Sequence, residues 1–338
     1  MNGPIRFGLH HLDRMSDHRG LFEHAKGTVP RPEYGYCTDD NARLLVVASR
    51  EPDTGLAPRL SRLVLAFVLD AQGEDGRCRT RLDRAGRWLD APGTEDWWGR
   101  SLWGLGVAAA QHADPFVREQ ARAGFDRGAR QRSRHPRAMA FAAIGAASVL
   151  AAETDADAAA ARALLSDTLD VIGAVPGGSW SWPEPRLAYA NAALAEAVIA
   201  AGAALDRPAE LDRGLKMLRW LLERETGVGH LSVTGVGGRG PDDRGPQFDQ
   251  QPIEAAAMAD ACWRAYALTG NRIWARGVAA AAGWFDAEND TGLPMYDDVS
   301  GGGFDGLQPE GVNLNQGAES TLAFLSTMQR ARSFVVTP

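Results

Sequence analysis

Gly35-Tyr-Cys-Thr-Asp-Asp-Asn-Ala-Arg43 is the stretch that decides the fold. Two adjacent acids, Asp39 and Asp40, stand where a loop turns into a helix, and an apolar run at 44–48 follows them. A helix that begins with paired acids and continues as an apolar run is expected to be buried along its length, with its polar end facing a pocket. The sequence predicts that this is one of six similar helix starts around a single pocket.

Two kinds of helical segment alternate from residue 39 onward. The segment at 136–150 is small and apolar on every side, which is typical of a helix that is buried on every side. The segment at 208–224 has leucines on one face and charged residues on the other, so it is expected to have one wet face. Buried helices are predicted to start near residues 39, 96, 136, 185, 252 and 315, and amphipathic helices are predicted at 56–71, 115–131, 156–174, 208–224 and 271–287.

Regular alternation of inner and outer helices predicts an all-α fold, the (α/α)6 toroid, in which six inner helices form a ring. Only five outer helices are visible, so the segment around 11–25 is expected either to fill the sixth position or to lie as a loop over the mouth. The chain is predicted to be a single domain over 1–338, with 1–38 as its N-terminal segment. Long loops lead into the inner helices, which predicts the active face at that end.

Composition and charge exclude several classes of function. The net charge of −7 disfavours binding to a phosphate backbone. Three widely spaced cysteines match neither a disulfide framework nor a zinc site, and the acidic run at 286–292 lacks the glycine and the final glutamate of a calcium loop. No signal-peptide pattern or membrane-length apolar run is present. We therefore expect a cytoplasmic protein with no metal, no cofactor, and no nucleic-acid or membrane partner.

The predicted helix starts carry polar groups together with aromatic ones. Capping preference explains single Asp, Asn or Thr residues at such positions, but it does not explain tryptophan and tyrosine in the same loops. Aromatic faces stack on sugar rings, and polar groups bond sugar hydroxyls, so the pocket is predicted to bind an oligosaccharide. The predicted substrate-binding residues are Tyr34, Tyr36, Arg43, Trp97, Trp98, Arg100, Arg137, Trp180, Trp182, Glu184, Tyr189, Asn191, Asp249, Gln251, Tyr296, Asn315 and Gln316.

Hydrolysis of a glycoside needs two carboxyl groups, one on each side of the scissile bond. One must keep its proton near neutrality, and the other activates water or attacks the sugar. Asp39 or Asp40 is predicted to supply one of them, with Asp96 as the preferred partner and Glu310 next. Glu184 and Asp249 are further candidates for the second carboxyl.

Three stretches carry a resemblance to a known family. They are His11-Leu-x-Arg14…Asp17…Gly20-Leu-Phe-Glu-His-Ala25 with the opening motif, Glu95-Asp-Trp-Trp-Gly-Arg-Ser-Leu-Trp-Gly-Leu-Gly106, and Asn315-Gln-Gly-Ala-Glu-Ser-Thr321. The chain resembles a bacterial family of (α/α)6 domains, six-hairpin glycosidase-like, that occur alone or fused behind glycosyltransferases and beside mannoside phosphorylases. The resemblance implies the toroid fold and carbohydrate metabolism. The layout is more distantly similar to unsaturated glucuronyl hydrolases and N-acylglucosamine epimerases.

The predicted function is therefore that of a glycoside hydrolase acting on an oligosaccharide, with a mannoside among the candidate substrates. Two alternatives stay open. The chain could be a non-catalytic glycan-binding partner of a separate glycosyltransferase, or a sugar epimerase that uses histidine as acid and base. For the epimerase, His135 lies at a predicted helix mouth and His230 lies in a loop.

Overall fold

The computed structural model describes residues 8–52, 55–152 and 158–334. Within these ranges the chain forms twelve α-helices. They are α1 (His10–Arg14), α2 (Thr38–Arg50), α3 (Ala57–Ala71), α4 (Asp96–Gln111), α5 (Pro115–Gly128), α6 (Pro136–Ala152), α7 (Ala159–Ile172), α8 (Asn191–Ala204), α9 (Pro208–Glu225), α10 (Pro252–Thr269), α11 (Arg272–Phe285) and α12 (Ala318–Arg332). None of the helices in the described ranges is long and apolar enough to span a bilayer.

The even-numbered helices from α2 to α12 form a closed inner ring. Each of them packs against the next, and α12 packs against α2 to close the circle. Helices α3, α5, α7, α9 and α11 lie outside, each against the inner helix that precedes it. The predicted (α/α)6 toroid is confirmed. It follows from the sequence because the inner helices are apolar on every side, whereas the outer helices bury a single stripe.

Helices α4 and α6 approach each other closely because glycines face each other across their interface. A β-carbon at Gly145 would overlap the carbonyl oxygen of Leu102, and one at Gly106 would overlap the carbonyl oxygen of Gly145. Only residues without a side chain permit this contact between backbones. These glycines therefore set the spacing of two neighbouring inner helices.

Two inner helices begin later than the sequence pattern predicts. The fourth, α8, starts at Asn191 rather than near 185, because Leu187 is held in a backbone bridge to Arg239 and Ala190 adopts a left-handed conformation. The sixth, α12, starts at Ala318 rather than near 315. The predicted start of the third outer helix, at 156, lies outside the described residues.

Three short antiparallel ribbons lie beside the starts of the inner helices. They pair β1 (Ala25–Lys26) with β2 (Val29–Pro30), β3 (Tyr36–Cys37) with β4 (Arg81–Leu82), and β5 (Gly306–Gln308) with β6 (Gly311–Asn313). β3 runs directly into α2, and the β5–β6 ribbon precedes α12. The ribbons therefore surround the end of the ring at which the inner helices begin.

The N-terminal segment runs from α12 to the mouth. Helix α1 is only five residues long and packs against α12. The chain then turns to the mouth, where the backbone carbonyl of Glu23 accepts from the amide of Ala318 at 3.0 Å. This path brings Glu23 and His24 into the wall of the central cavity.

Candidate functional site

A cavity of about 990 Å³ lies at the N-terminal ends of the inner helices and is open to solvent. We call it the acidic lobe. Its wall consists of Glu23, His24, Cys37, Asp39, Asp40, Arg43, Arg100, Gln251, Asp305, Asn313, Gly317, Glu319 and Ser320. Five carboxyl groups thus share this wall with two guanidinium groups. Such an excess of carboxyls favours retention of a proton by at least one of them.

A second lobe of about 820 Å³ adjoins the first. The two share Arg100, Gln251 and Glu319 in their walls, so they are parts of one mouth. Tyr189 lies on the wall of the second lobe with 46% of its surface exposed. The mouth therefore combines a strongly charged half with a half that offers an aromatic face.

Asp40 is the buried acid at the centre of the acidic lobe. Nη1 of Arg43 donates to Oδ1 of Asp40 at 2.6 Å, and Nη2 of the same guanidinium donates to Oε2 of Glu319 at 2.5 Å. Burial raises the pKa of Asp40, Arg43 lowers it, and the nearby carboxylates, Glu319 foremost, raise it again, so that it reaches about 7. Asp40 therefore holds a proton close to neutrality.

Asp39 is adjacent in sequence and titrates in the opposite direction. Oδ1 of Asp39 accepts from Nη1 of Arg100 at 2.6 Å, and Oδ2 accepts from the thiol of Cys37 at 3.3 Å. Burial alone raises the pKa of Asp39, but Arg100 and Arg43 together outweigh it and hold the pKa below its usual value. Asp39 is a fixed carboxylate with both oxygens engaged.

Asp305 lies on the same wall and was not among the predicted site residues. Its Oδ1 accepts from the backbone amide of Gly317 at 2.8 Å and from the hydroxyl of Ser320 at 2.7 Å. In the described part of the chain, no group donates to Oδ2 of Asp305. The loop that carries Asp305 gave no periodic signal, and only its meeting with the start of α12 brings it to the mouth.

Two further acids of the lobe were not among the predicted catalytic residues. Glu319 is the second residue of α12, in its first turn. Glu23 accepts from both terminal nitrogens of Arg81, one of them at 2.9 Å. Its neighbour His24 is the one histidine on the wall of either lobe.

Three aromatic residues predicted to wall the pocket lie in the core instead, and this part of the prediction is wrong. Tyr36, Trp98 and Trp182 are fully buried. The indole of Trp98 donates to the carbonyl of Gly128, and the hydroxyl of Tyr36 donates to Asp17. Their large apolar surfaces are covered by neighbouring helices, which removes them from contact with any ligand.

Four other predicted aromatic residues lie outside both lobes. Trp97 donates to the carbonyl of Cys78, and Trp180 lines a separate cavity. Tyr296 stacks on Phe324, and Tyr34 lies under the guanidinium of Arg31. These contacts do not support the predicted role of the four rings in substrate binding, which stays a prediction.

Several predicted polar residues support the mouth from behind. Arg137 pairs with both oxygens of Glu184, at 2.6 and 2.9 Å, and lies 4.6 Å from the ring centroid of Tyr189. Asn191 accepts from the amide of Ala188 at 2.9 Å. This group therefore fixes Tyr189 and lies outside the walls of both lobes. The predicted residues that do line a lobe are Asp39, Asp40, Arg43, Arg100, Tyr189 and Gln251.

The predicted residues before the last inner helix, α12, also have structural roles. Asn315 accepts from the amide of Gly27 at 3.0 Å. Gln316 is buried, accepts from Ser300 at 2.6 Å, and donates to Asp297 at 3.2 Å. The side chains of Asn315 and Gln316 therefore bond neighbouring loops to the segment before α12 and do not line the cavity.

The remaining predicted acids differ in position. Asp96 accepts from the hydroxyl of Tyr189 at 2.6 Å and lies 3.5 Å from Arg100, but it is not itself part of the wall of either lobe. Asp249 lies outside both lobes, and burial raises its pKa. Glu310 is exposed in the turn between β5 and β6 and lines neither lobe, which does not support its predicted catalytic role.

Glu23, Cys37 and Asp40 could together offer three ligand atoms to a metal, all within 4.8 Å of one another. Burial raises the pKa of the Cys37 thiol well above its usual value, so the thiol keeps its proton. Glu23 and Asp40 are each already bonded to an arginine. The donor set suits shared protons and ion pairs better than it suits a cation.

No family model and no curated protein matches the chain. Solved structures do match. A sugar epimerase from a ruminal bacterium is 10% identical over 95% of this chain and 94% of its own, with a TM-score of 0.69. A D-mannose isomerase is 12% identical over 96% and 94%, with a TM-score of 0.66. A glycoside hydrolase family 76 α-mannanase from Bacteroides thetaiotaomicron is 10% identical over 88% and 86%, with a TM-score of 0.59.

At these identities the likeness shows the fold alone. The toroid is shared with six-hairpin glycosidase-like enzymes of two kinds: those that rearrange sugars and those that hydrolyse glycosides. The predicted resemblance is confirmed to that extent.

Proposed function

We propose that the chain is a glycoside hydrolase that cleaves an oligosaccharide in the acidic lobe. The observation that carries this proposal is the difference in pKa between two neighbouring acids, Asp40 and Asp39. Asp40 titrates near 7 because it is buried among carboxylates, and Asp39 is held ionised by Arg100 and Arg43. Pairs of acids whose pKa values are pushed apart supply the proton donor and the fixed charge that glycosidic cleavage needs.

In the proposed reaction Asp40 is the general acid. Its carboxyl gives a proton to the glycosidic oxygen as the bond from that oxygen to the anomeric carbon breaks. Asp305 is the general base, because its Oδ2 is open while Oδ1 is anchored by Gly317 and Ser320. Asp305 takes a proton from a water molecule whose oxygen bonds to the anomeric carbon. It replaces Asp96 as the preferred partner, because Asp96 lines neither lobe and is engaged by Tyr189 and Arg100.

The other charges of the lobe act on the transition state. Positive charge develops on the sugar ring as the bond breaks. Asp39 and Glu319 are acids on the same wall, and each is oriented by an arginine at 2.5–2.6 Å. Their negative charge is expected to stabilise the developing cation, because it is already oriented before the reaction begins.

The shape and charge of the mouth suggest the class of substrate. Two connected lobes give room for sugar units on both sides of the scissile bond, and Tyr189 offers the second lobe a face on which a ring can stack. The excess of carboxyls disfavours anionic sugars and favours neutral ones. The family resemblance adds mannosides as the first substrates to test.

A sugar epimerase is the second candidate, because two of the matching structures rearrange sugars. Acid–base chemistry by histidines would need two imidazoles at the reacting carbon. The walls of the two lobes contain one, His24, against five carboxyls in the acidic lobe. The lining therefore favours hydrolysis.

The experiment that separates the candidates is incubation with a panel of neutral manno- and gluco-oligosaccharides, followed by mass spectrometry and proton NMR. Hydrolysis produces shorter sugars. Epimerisation leaves the mass unchanged and produces new anomeric signals, which would overturn the proposal. Binding seen by line broadening with neither change would identify a glycan-binding protein instead.

A further inference from the structure

A second cavity, of about 970 Å³, lies between the loops that follow α7 and α9. It shares no lining residue with either lobe of the mouth. Three arginines, Arg224, Arg239 and Arg244, line it together with Trp180. We call it the arginine cavity. Its concentration of positive charge contrasts with the net charge of −7 of the whole chain.

None of these three arginines forms an ion pair with a carboxylate in the described part of the chain. Arg224 donates to the carbonyl of Gly240 at 2.7 Å, Arg239 donates to the carbonyl of Gly245 at 3.0 Å, and Arg244 donates to a carbonyl of the same loop. The Nε atoms of Arg224 and Arg239 are buried and have no acceptor. Arg239 is itself only 5% exposed. A buried guanidinium without an anion is costly unless a ligand supplies one.

Two carboxyl groups also line the cavity, but both are engaged elsewhere. Glu225 accepts from the amide and the hydroxyl of Thr234, at 3.0 and 2.7 Å. Asp243 accepts from the amide of Gly240 at 2.7 Å and pairs with Arg186 at 3.1 Å. These acids offset only part of the charge of the three arginines. Asp243 and Glu225 raise the pKa of Arg224, but burial together with the nearby Arg239 and Arg244 outweighs them and lowers it.

We propose that the arginine cavity binds a phosphate group. Several guanidinium groups that approach from different directions suit a tetrahedral dianion. A carboxylate, by contrast, is planar, and a single guanidinium can bond both of its oxygens. Within the described residues each of the three arginines uses only one of its two terminal nitrogens, so the phosphate would accept hydrogen bonds from the other three. The guanidinium of Arg224 lies 4.9 Å from the ring centroid of Trp180, which forms an aromatic wall beside the arginines.

The arginine cavity and the second lobe of the mouth lie on opposite sides of one backbone pairing. The backbones of Leu187 and Arg239 exchange hydrogen bonds of 2.8 and 3.0 Å, and Leu187 faces the second lobe while Arg239 faces the arginine cavity. Phosphate binding is thus separate from the proposed hydrolysis, and it can be measured whether or not the chain cleaves glycosides.

The test is isothermal titration calorimetry of the full chain with inorganic phosphate and with glycerol 3-phosphate, at constant ionic strength. Saturable binding is expected. Whichever of the two ligands binds more tightly shows whether the cavity prefers free phosphate or a phosphate ester. Arg224→Gln and Arg244→Gln should each weaken binding by about tenfold or more, since each removes a charge-assisted contact. Arg219→Gln should bind normally, because Arg219 lies on the same helix, pairs with Glu223 and is outside the cavity.

Arg244 is exposed, so its replacement tests the site even where the Arg224 variant fails to fold. Circular dichroism identifies any such failure. The proposal is overturned if neither ligand gives saturable heat, or if the folded Arg244→Gln variant binds phosphate as tightly as the unaltered chain.

Discussion

Asp40 accepts a hydrogen bond of 2.6 Å from Arg43, one turn along α2, and its pKa is nevertheless raised to about 7. A carboxyl beside an arginine ordinarily titrates below its usual range. Here burial of Asp40 works against the arginine, and the same guanidinium is shared with Glu319. Arg43 therefore fixes the orientation of the Asp40 carboxyl, while burial and Glu319 keep that carboxyl protonated near neutral pH.

Replacement of Asp40 by Asn should lower kcat by about 10²–10⁴-fold, because the proton donor is lost while the shape of the side chain is kept. Substrate affinity, measured by titration with the uncleaved oligosaccharide, should change little. Glu310→Gln is the matched control and should keep full activity, since Glu310 is exposed in a turn. Full activity in the Asp40 variant would remove this residue from the mechanism.

Replacement of Asp305 by Asn should also lower kcat, by about 10²-fold or more, because the amide cannot accept a proton from water. The fold should be retained, since Asn can keep the hydrogen bonds from Gly317 and Ser320 that Asp305 now accepts. If the variant keeps a normal kcat, the base is another acid of the lobe, with Glu319 the next to test.

Activity should fall as the pH rises through the pKa of Asp40, because the general acid must carry its proton. Glu319 raises that pKa by its negative charge. Glu319→Gln should therefore lower the pKa of Asp40 and move the alkaline limb of kcat/KM to lower pH, by about one unit. Glu310→Gln should leave the limb in place. A limb that stays fixed or moves upward in the Glu319 variant would contradict this account.

Tyr189→Ala should raise KM about tenfold with a smaller change in kcat, because a stacking face in the second lobe is lost. Tyr189→Phe should retain most of the affinity, since only the hydrogen bond to Asp96 is removed. Trp180→Ala is the aromatic control, because Trp180 lines the arginine cavity and not the mouth. Equal effects of the Tyr189→Ala and Trp180→Ala variants on KM would argue against a sugar site at Tyr189.

Gly145→Ala should destabilise the protein by about 1–3 kcal/mol in urea denaturation, because its β-carbon would meet the carbonyl of Leu102 and separate α4 from α6. Gly177→Ala is the control. A β-carbon there meets no atom, so the free energy of unfolding should stay within about 0.5 kcal/mol. A neutral Gly145 variant would show that the two helices can move apart without cost.

The sequence pattern predicted helices better than it predicted the site. The segment at 136–150 and the helix that starts near 39 could be predicted as buried, because a helix that is buried on every side is rich in apolar residues throughout. The aromatic wall could not be predicted in the same way. Trp98 and Trp182 lie in the core, whereas Tyr189 reaches the mouth. In sequence all three stand near predicted helix starts, and only the packing of the loops distinguishes them.

By itself the sequence determined the alternation of inner and outer helices, the closed ring that follows from it, and the presence of Asp39 and Asp40 at the start of the first inner helix. These depend on periodicities within one or two turns of helix. Only the tertiary structure decided which acids meet. Glu23, Asp305 and Glu319 come together with Asp40 because α12 closes the ring against α2, which joins residues almost 300 positions apart. The pKa of a carboxyl depends on burial and on neighbours in space, so the acid that holds the proton could not be predicted from spacing along the chain.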